Sequence, residues 1–343
     1  MNQEIPFVSI CTPTFNRRPF IENMFQCFKN QTYPKNRMEW IIVDDGTDKI
    51  KDLIDDAKIE QIKYFAIDKK MTLGEKRNFI HDKTCGSILV YMDDDDYYPP
   101  ERVQHAVDIL NENPTALCAG SSELYIYYKD LGKMYQSGPF GPTHATAGTF
   151  AMRKALLQYC KYDEEASLAE ERSFLKGYTI PFVQLDPLKT ILVFSHNHNS
   201  FDKKNMLKET NNQYFKESSK KVTDFIRKKK EKSIYDFFMK HIDKKLQSYD
   251  AGKPENKPDV LQQIKEIDAE REKLEKESKK NGSIMVEVPG QGKRSLQPEE
   301  IVHILSQQQN QIKFLINRVK ELEDKLLQMQ MNEQCGFQVS HGI

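Results

Sequence analysis

Over the first 200 residues, short apolar runs alternate with amphipathic stretches. Residues 7–12, 38–43, 62–67 and 87–92 have the length and the β-branched and aromatic make-up of buried strands. Between the first two, Ile21, Met24, Phe25 and Phe28 recur at i, i+3, i+4 and i+7, which predicts a helix with one apolar face. Ile50, Leu53, Ile54 and Ala57 predict a short second helix, residues 75–81 a third, and Val103, Ala106, Val107 and Leu110 a fourth. Strands alternating with helices imply βαβ units, hence an α/β fold with a mostly parallel sheet flanked by helices.

After residue 115 the pattern changes. Residues 116–120, 123–128, 133–136, 149–151, 182–185 and 190–194 read as strands, with a hairpin across Asp130-Leu131-Gly132. Residues 153–160 read as a short helix, 166–175 as an acidic amphipathic stretch, and the Gly- and Pro-rich loop 137–144 as a candidate lid. Beyond 205 the chain becomes lysine-rich helix, with Tyr214, Val222, Phe225, Ile226, Phe237, Phe238 and Ile242 as its apolar positions. A linker over 250–258 leads to a charged helix over 260–280 and a short strand near 284–288. Ile301, Leu305, Gln308, Ile312, Leu315, Val319, Leu322, Leu326 and Met329 then alternate by four and three, a heptad seam. Ile312 and Val319 at one core position and Leu315 and Leu322 at the other favour a parallel homodimer, with a homotrimer the alternative, through residues 300–330. Three regions follow: a sheet domain over 1–205, a helical extension over 206–282, and a strand plus coiled coil over 283–343.

Composition adds little to this and removes much. The 343 residues carry 51 basic and 51 acidic side chains, a formal charge of zero, which offers no bulk attraction to nucleic acid or anionic membrane. No apolar run approaches the roughly 20 residues of a membrane span, and residues 1–6 show no signal-peptide pattern. Six scattered cysteines without a Cys-x-x-Cys pair suit free thiols in a reducing compartment, so the expected location is the cytoplasm.

The candidate chemistry lies where predicted strands end. The fourth apolar run stops in Asp93, Asp94, Asp95 and Asp96, whose charges repel one another and suit a hard divalent cation with oxygen ligands. The glycine and distal glutamate of an EF-hand loop are absent. Thr12-Pro13-Thr14-Phe15-Asn16-Arg17 follows the first run and Asp44-Asp45-Gly46-Thr47 the second, while Lys76 and Arg77 open a helix with two cations suited to a diphosphate. In parallel α/β sheets, ligands bind at such carboxyl ends, where the strand order reverses.

These four pieces in succession, Val8 to Arg17, Trp40 to Thr47, Leu73 to Asn78 and Val90 to Pro100, resemble the family 2 glycosyltransferases of the GT-A fold, over roughly residues 5–200. The resemblance implies a GT-A sheet, a nucleotide-sugar donor (UDP-linked), a hydroxyl acceptor, Mn²⁺ or Mg²⁺, and transfer with inversion. Carried over by position, it sets Thr12, Pro13, Thr14 and Arg17 at the nucleotide and Asp44, with Asp45, at a uracil-type base. It sets Lys76, Arg77, Asn78 and Asp94 at the donor, Asp93 at ribose and metal, and Asp95 on the metal. Glu170-Glu171 stands where the family has its acidic pair, with Glu171 in the place of the general base and Glu170 the alternative. His196-Asn197-His198-Asn199-Ser200 resembles the family's late His-x-x-Asn segment, so His196 or His198 would complete the metal shell. Strand alternation sets Asp94 facing the other way, and Asp96 is expected to cap the following helix. Two other readings are a nucleotidyltransferase, whose Gly-rich phosphate loop is missing, and a non-catalytic coiled-coil assembly protein.

Overall fold

The structure, a computed structural model, describes residues 5–168, 170–199, 202–208, 214–280, 285–288 and 292–295, with helical positions 307–309, 312, 315, 316, 319 and 322. It divides into two compact units, residues 1–266 and 267–343.

In the first unit, β1 (Val8–Thr14), α1 (Arg18–Asn30), β2 (Met38–Asp44), α2 (Lys51–Ala57), β3 (Ile62–Ala66), α3 (Leu73–Lys83), β4 (Ile88–Tyr91) and α4 (Arg102–Glu112) alternate as the hydrophobic pattern predicts. Then follow β5 (Cys118–Gly120), β6 (Leu124–Tyr128), β7 (Lys133–Ser137), β8 (Ala151–Arg153), α5 (Glu171–Phe174), β9 (Phe182–Gln184) and β10 (Val193–Ser195). The main sheet runs β3-β2-β1-β4-β8-β5-β9. β1, β2, β3 and β4 are parallel, and β8 is antiparallel to both its neighbours. Alternate residues feed opposite faces. Ile10, Trp40, Ile42 and Val90 join one core with α1 and α4, and Cys11, Ile41, Val43, Leu89 and Tyr91 join the other with Ile80 of α3. Both faces are covered, which is why these strands read as continuous apolar runs rather than alternating ones.

A second sheet, β10-β6-β7-β11, contains the expected β6–β7 hairpin, turned at Gly132 in the left-handed region (φ 63°). Its edge, β11 (Phe215–Ser218), lies in the lysine-rich stretch predicted as helix. Phe215 stacks on Tyr135 at 5.1 Å, so the strand is fixed by aromatic packing that local sequence does not display. The rest of that stretch is broken into α6 (Val222–Phe225), α7 (Lys232–Asp236), a π turn (Phe237–His241) and α8 (Ile242–Gln247). Phe225, Ile226, Ile234, Phe238 and Ile242 are buried in the main core, and Phe238 stacks on Phe194 at 4.1 Å. Buried Glu231 accepts from the Tyr97 hydroxyl at 3.1 Å, locking these helices to the loop after β4. The lysine-rich stretch therefore folds as part of the sheet domain through Glu266.

The acidic stretch 166–175 contains the short helix α5. The 250–258 linker is ordered as two 3₁₀ turns (Asp250–Gly252 and Pro254–Asn256) that run directly into α9 (Pro258–Lys280). In the second unit, β12 (Met285–Val288) and β13 (Gly292–Ser295) form an antiparallel hairpin. Heptad positions 301, 305, 326 and 329 lie outside the described residues. Among the described residues no helix is long and apolar enough to cross a membrane.

Candidate functional site

β1 has β2 on one side and β4 on the other, so the strand order reverses between β1 and β4. At that switch point their carboxyl ends open a cavity of about 170 Å³, bordered by Thr14, Arg17, Lys76, Arg77, Asp93, Asp94, Asp95 and, from far along the chain, Lys257. Such a crevice is the expected ligand position in an open α/β sheet.

Local sequence explains how each wall is held. Asn16 takes the left-handed conformation (φ 52°), which asparagine tolerates, and its Oδ1 accepts from the Asp48 backbone at 3.0 Å. That turn sends Arg17 into the cavity, 3.5 Å from Asp94 and 3.4 Å from Asp95. α3 starts in a capping box, Thr72 with Glu75. Its second residue, Gly74, packs so closely that a Cβ would overlap the Asp163 carbonyl. This docking aims Lys76 at Asp45 and at the Thr14 carbonyl (3.2 Å). Arg77 donates through Nε to Glu170 Oε1 at 2.8 Å and lies 3.9 Å from Asp93. Arg77 thus joins the acidic loop after β4 to the acidic pair at α5.

β4 ends at Tyr91, so strand alternation does not govern residues 92–96. Asp94 is buried and faces the same cavity as Asp93 and Asp95, contrary to the alternation argument. Asp96 does not cap α4, whose N-cap is Glu101; its Oδ1 is buried without a hydrogen-bond partner, as is Asp93 Oδ1. Burial, then the Asp95 charge, pushes the Asp94 carboxyl up to about 7. Asp93 is also raised by burial, against the pull of Arg77. Burial works in the same direction on Asp95, yet Arg17 and then His196 outweigh it and hold that carboxyl well below the usual range.

His196 follows β10, with Nε2 3.4 Å from Asp95 Oδ2. Its Nδ1 accepts the His198 backbone N–H at 3.2 Å, which fixes the ring and turns the Nε2 edge to the carboxylate. Burial lowers its pKa to about 4, against the effect of Asp95, so the imidazole is neutral near pH 7. His198 is placed differently: its Nε2 bonds the Tyr249 carbonyl at 2.7 Å. The two glutamates also differ. Glu170 is buried against Arg77, whereas Glu171 is half-buried and is pushed up to about 7 by burial and then by the Glu170 charge.

Several expected site residues hold the frame instead of bordering the cavity. Thr12 is fully buried, donating to the Met92 carbonyl at 2.6 Å and accepting from Trp40 Nε1 at 2.9 Å. Asp44 accepts from the Gly46 and Ile50 backbones and the Tyr64 hydroxyl, at 2.9, 3.1 and 2.7 Å. Asn78 bonds the backbone of Tyr162 through both amide atoms. Pro13 and Thr14 do line the cavity. The 137–144 loop does not; Gln184 Nε2 ties it at the carbonyls of Pro142 (2.8 Å) and His144 (2.9 Å).

Lys257, Asp259 and Val260 on the cavity wall went unforeseen, since the linker showed only turn chemistry. Burial lowers the Lys257 ammonium to about 7, with Arg17 acting in the same sense and Asp95 and Asp94 opposing.

Residues 9–160 match the family model described as glycosyl transferase family 2. Over 127 residues the chain is 26% identical to glycosyltransferase AglE of Haloferax volcanii, covering 36% of this chain and 41% of that protein. Over 114 residues it is 28% identical to the putative teichuronic acid biosynthesis glycosyltransferase TuaG of Bacillus subtilis, covering 32% and 44%. The chain thus spans less than half the length of these relatives. Among solved structures, Staphylococcus aureus TarS 1–349 aligns with a TM-score of 0.43 at 20% identity, over 55% of this chain and 60% of that one. At that score nothing further rests on the likeness.

Proposed function

We propose that this chain, whose residues 9–160 form a family 2-like glycosyltransferase segment, moves a sugar from a nucleotide-sugar donor to a hydroxyl acceptor with inversion. One observation carries the reading. Arg17, Lys76, Arg77 and three aspartates converge on one cavity at the switch point, and Arg77 links that cavity to the Glu170–Glu171 pair.

The acceptor hydroxyl is a weak nucleophile near neutral pH, so a carboxylate must take its proton during attack. Glu171 suits that task better than Glu170, which is held by Arg77, and its raised pKa brings its basicity close to working pH. Arg77 fixes Glu170 and so positions the start of α5. Arg17, Lys76 and Arg77, which line the cavity, present positive charge to a departing nucleoside diphosphate.

The donor set also fits a hard divalent cation, Mn²⁺ or Mg²⁺. Among the described residues no three or more His, Cys, Asp or Glu side chains form a metal cage. An ion of this kind, however, is commonly held by one or two carboxylates plus substrate phosphates. Asp95 and Asp93 would hold it, with His196, whose Nδ1 accepts a backbone N–H and whose Nε2–H therefore faces Asp95, orienting that carboxylate, and it would supply Lewis-acid neutralisation of the diphosphate. Cys11, Cys27, Cys85, Cys118 and Cys160 are free, in keeping with a cytoplasmic setting, and the heptad seam supports homo-oligomers.

The test is release of UDP from UDP-sugars by the purified chain with Mn²⁺ or Mg²⁺. Donors are first screened by thermal shift, since a ligand of the native state raises the melting temperature. Asp95→Asn should abolish turnover. Ordinary activity in that variant would remove the metal role, and no nucleotide binding by calorimetry would remove the whole reading.

A further inference from the structure

Outside the donor cavity, four rings from three separate parts of the chain stand in a row. Tyr214, just before β11, lies 5.3 Å from Phe140, Phe140 lies 4.8 Å from His144, and His144 lies 4.9 Å from Tyr178. Phe140 and Tyr214 are 42% and 41% exposed, so both keep ring surface open to solvent, while His144 and Tyr178 are half-buried. Tyr178 and Tyr214 lie beyond the segment that matches the family model. The row is fixed by backbone contacts. The Gly138 N–H donates to the Tyr214 carbonyl at 2.7 Å, and a Cβ at Gly138, itself at φ 90°, would overlap the Ser122 carbonyl. Gln184 Nε2 holds the same loop at the carbonyls of Pro142 and His144.

The chain joins this row to both sides of the reaction. Tyr178 is carried by the turn after α5, in which Lys176, Gly177 and Tyr178 are all left-handed (φ 50°, 68° and 65°). Gly177 N–H donates back to the Arg172 carbonyl at 2.8 Å. A bulky residue is rarely held in that region, and outliers of this kind cluster at ligand sites. The turn brings Tyr178 back towards the start of α5, since the Glu171 carboxylate is the leading charge on its hydroxyl, raising its pKa after burial does. In the other direction, the loop that carries Phe140 and His144 runs on to Gly148, where a Cβ would stand 2.9 Å from Asp93 Oδ2. Tyr98 clasps that approach, its hydroxyl accepting from the Asp93 N–H at 2.7 Å and donating to the Gly148 carbonyl at 3.2 Å.

We propose that the row is the acceptor subsite and that the acceptor is a glycan, stacked on Phe140 and Tyr214, with polar atoms of His144 and Tyr178 reading its hydroxyls and its reacting hydroxyl presented to Glu171. This rests on the glycosyl-transfer reading above and names the acceptor class for it. A sugar ring turns C–H bonds to one side, and their slight positive charge meets the negative face of an aromatic ring. Ligand sites of this type combine aromatic surface with a few polar atoms that set orientation. Four rings in succession offer more stacking surface than a small alcohol can cover, which favours an acceptor of more than one sugar.

The experiment is binding of the full chain to a microarray of bacterial and eukaryotic oligosaccharides, with UDP and Mn²⁺ present, followed by titration of the glycans that bind. It compares the wild type with Phe140→Leu, Tyr214→Leu and Phe140→Tyr, and UDP calorimetry and melting temperatures are measured on the same samples. Leucine keeps apolar bulk at these exposed positions and removes the aromatic face. The wild type should bind a subset of the glycans, each leucine variant about tenfold more weakly, on the scale of one lost stack, while Phe140→Tyr keeps most of the affinity. UDP binding without any glycan bound by the wild type overturns the proposal and leaves the nucleotide-sugar reading standing. Glycan affinity unchanged in both leucine variants also overturns it. Joint loss of glycan and UDP binding with lowered melting temperatures overturns it in favour of rings that only pack the loop. Ring-dependent glycan binding without UDP binding supports the sugar site and removes the nucleotide-sugar reading. Binding of neither by the wild type overturns both.

Discussion

Glu170 and Glu171 are adjacent in sequence and opposite in surroundings, and that contrast makes the base assignment testable. Glu170 is committed to Arg77, while burial raises Glu171 to about 7 from an ordinary carboxylate value. Turnover should therefore rise with pH to a plateau above about 7, and Glu171→Gln should lower it by about 10²- to 10⁴-fold. A flat pH–rate profile in this range would sink the assignment. Stability carries an independent sign. A carboxyl whose folded pKa is raised binds more protons folded than unfolded, so its contribution falls as pH rises from about 4.5 to about 7 and stays low above that. Glu171→Gln should thus gain melting temperature on the wild type between pH 4.5 and 8, and a constant difference would refute the shift. The resemblance set Glu171 in the place of the base and Glu170 as the alternative, but the local sequence offered no physical reason for that order, because it depends on Arg77, 93 positions away from Glu170. Asp94 teaches a related lesson. Period-two alternation holds only inside a strand, and where β4 stops is set by tertiary pairing with β1 and β8.

The start of α3 shows how an element can be legible in type and hidden in placement. Its cations are plain from Lys76 and Arg77, while the capping box of Thr72 and Glu75 that starts it at Leu73, ahead of the expected 75–81, is seen in the structure. What aims the cations is the close approach at Gly74, whose N–H also donates to the Ala166 carbonyl at 2.8 Å. Two effects oppose each other in Gly74→Ala. Helix propensity favours alanine by about 1 kcal/mol, but overlap with the Asp163 backbone forces a shift of the kind that costs about 1–3 kcal/mol or more. Backbone cannot move aside as a side-chain tip can, so the overlap should win. The variant should melt lower than the wild type and lose nucleotide affinity, since Lys76 and Arg77 shift with the helix. An unchanged or higher melting temperature would show that the 163–166 loop yields easily. The strands of the main sheet were legible because burial on both faces leaves apolar runs. β11 and the broken helices after it were not, because Phe215, Phe225 and Phe238 take their conformation from rings elsewhere in the chain.

At the scale of the molecule, the two parts of the C-terminal half carry opposite kinds of signal. Residues 250–263 have no periodicity, so the place of Lys257, Asp259 and Val260 at the cavity emerges only once the chain is folded, whereas the heptads over 301–329 have a strong repeat and no partner within the described residues. Ile312, Leu315, Val319 and Leu322 are helical and 56%, 59%, 53% and 51% exposed. Burying such side chains against a second copy is favourable by about 1.5–3 kcal/mol each for full burial, and the alternation of four and three matches the spacing of a two-stranded seam. Removal of residues 300–343 should therefore reduce the solution mass to that of one chain by light scattering. A double substitution, Leu315→Lys with Leu322→Lys, should do the same by placing like charges across the seam. Both changes should leave UDP affinity intact, because every residue bordering the donor cavity lies at or before Val260. An unchanged mass in both would rule out the seam as the oligomer contact. A lost affinity with a reduced mass would mean that pairing of copies supports the donor cavity.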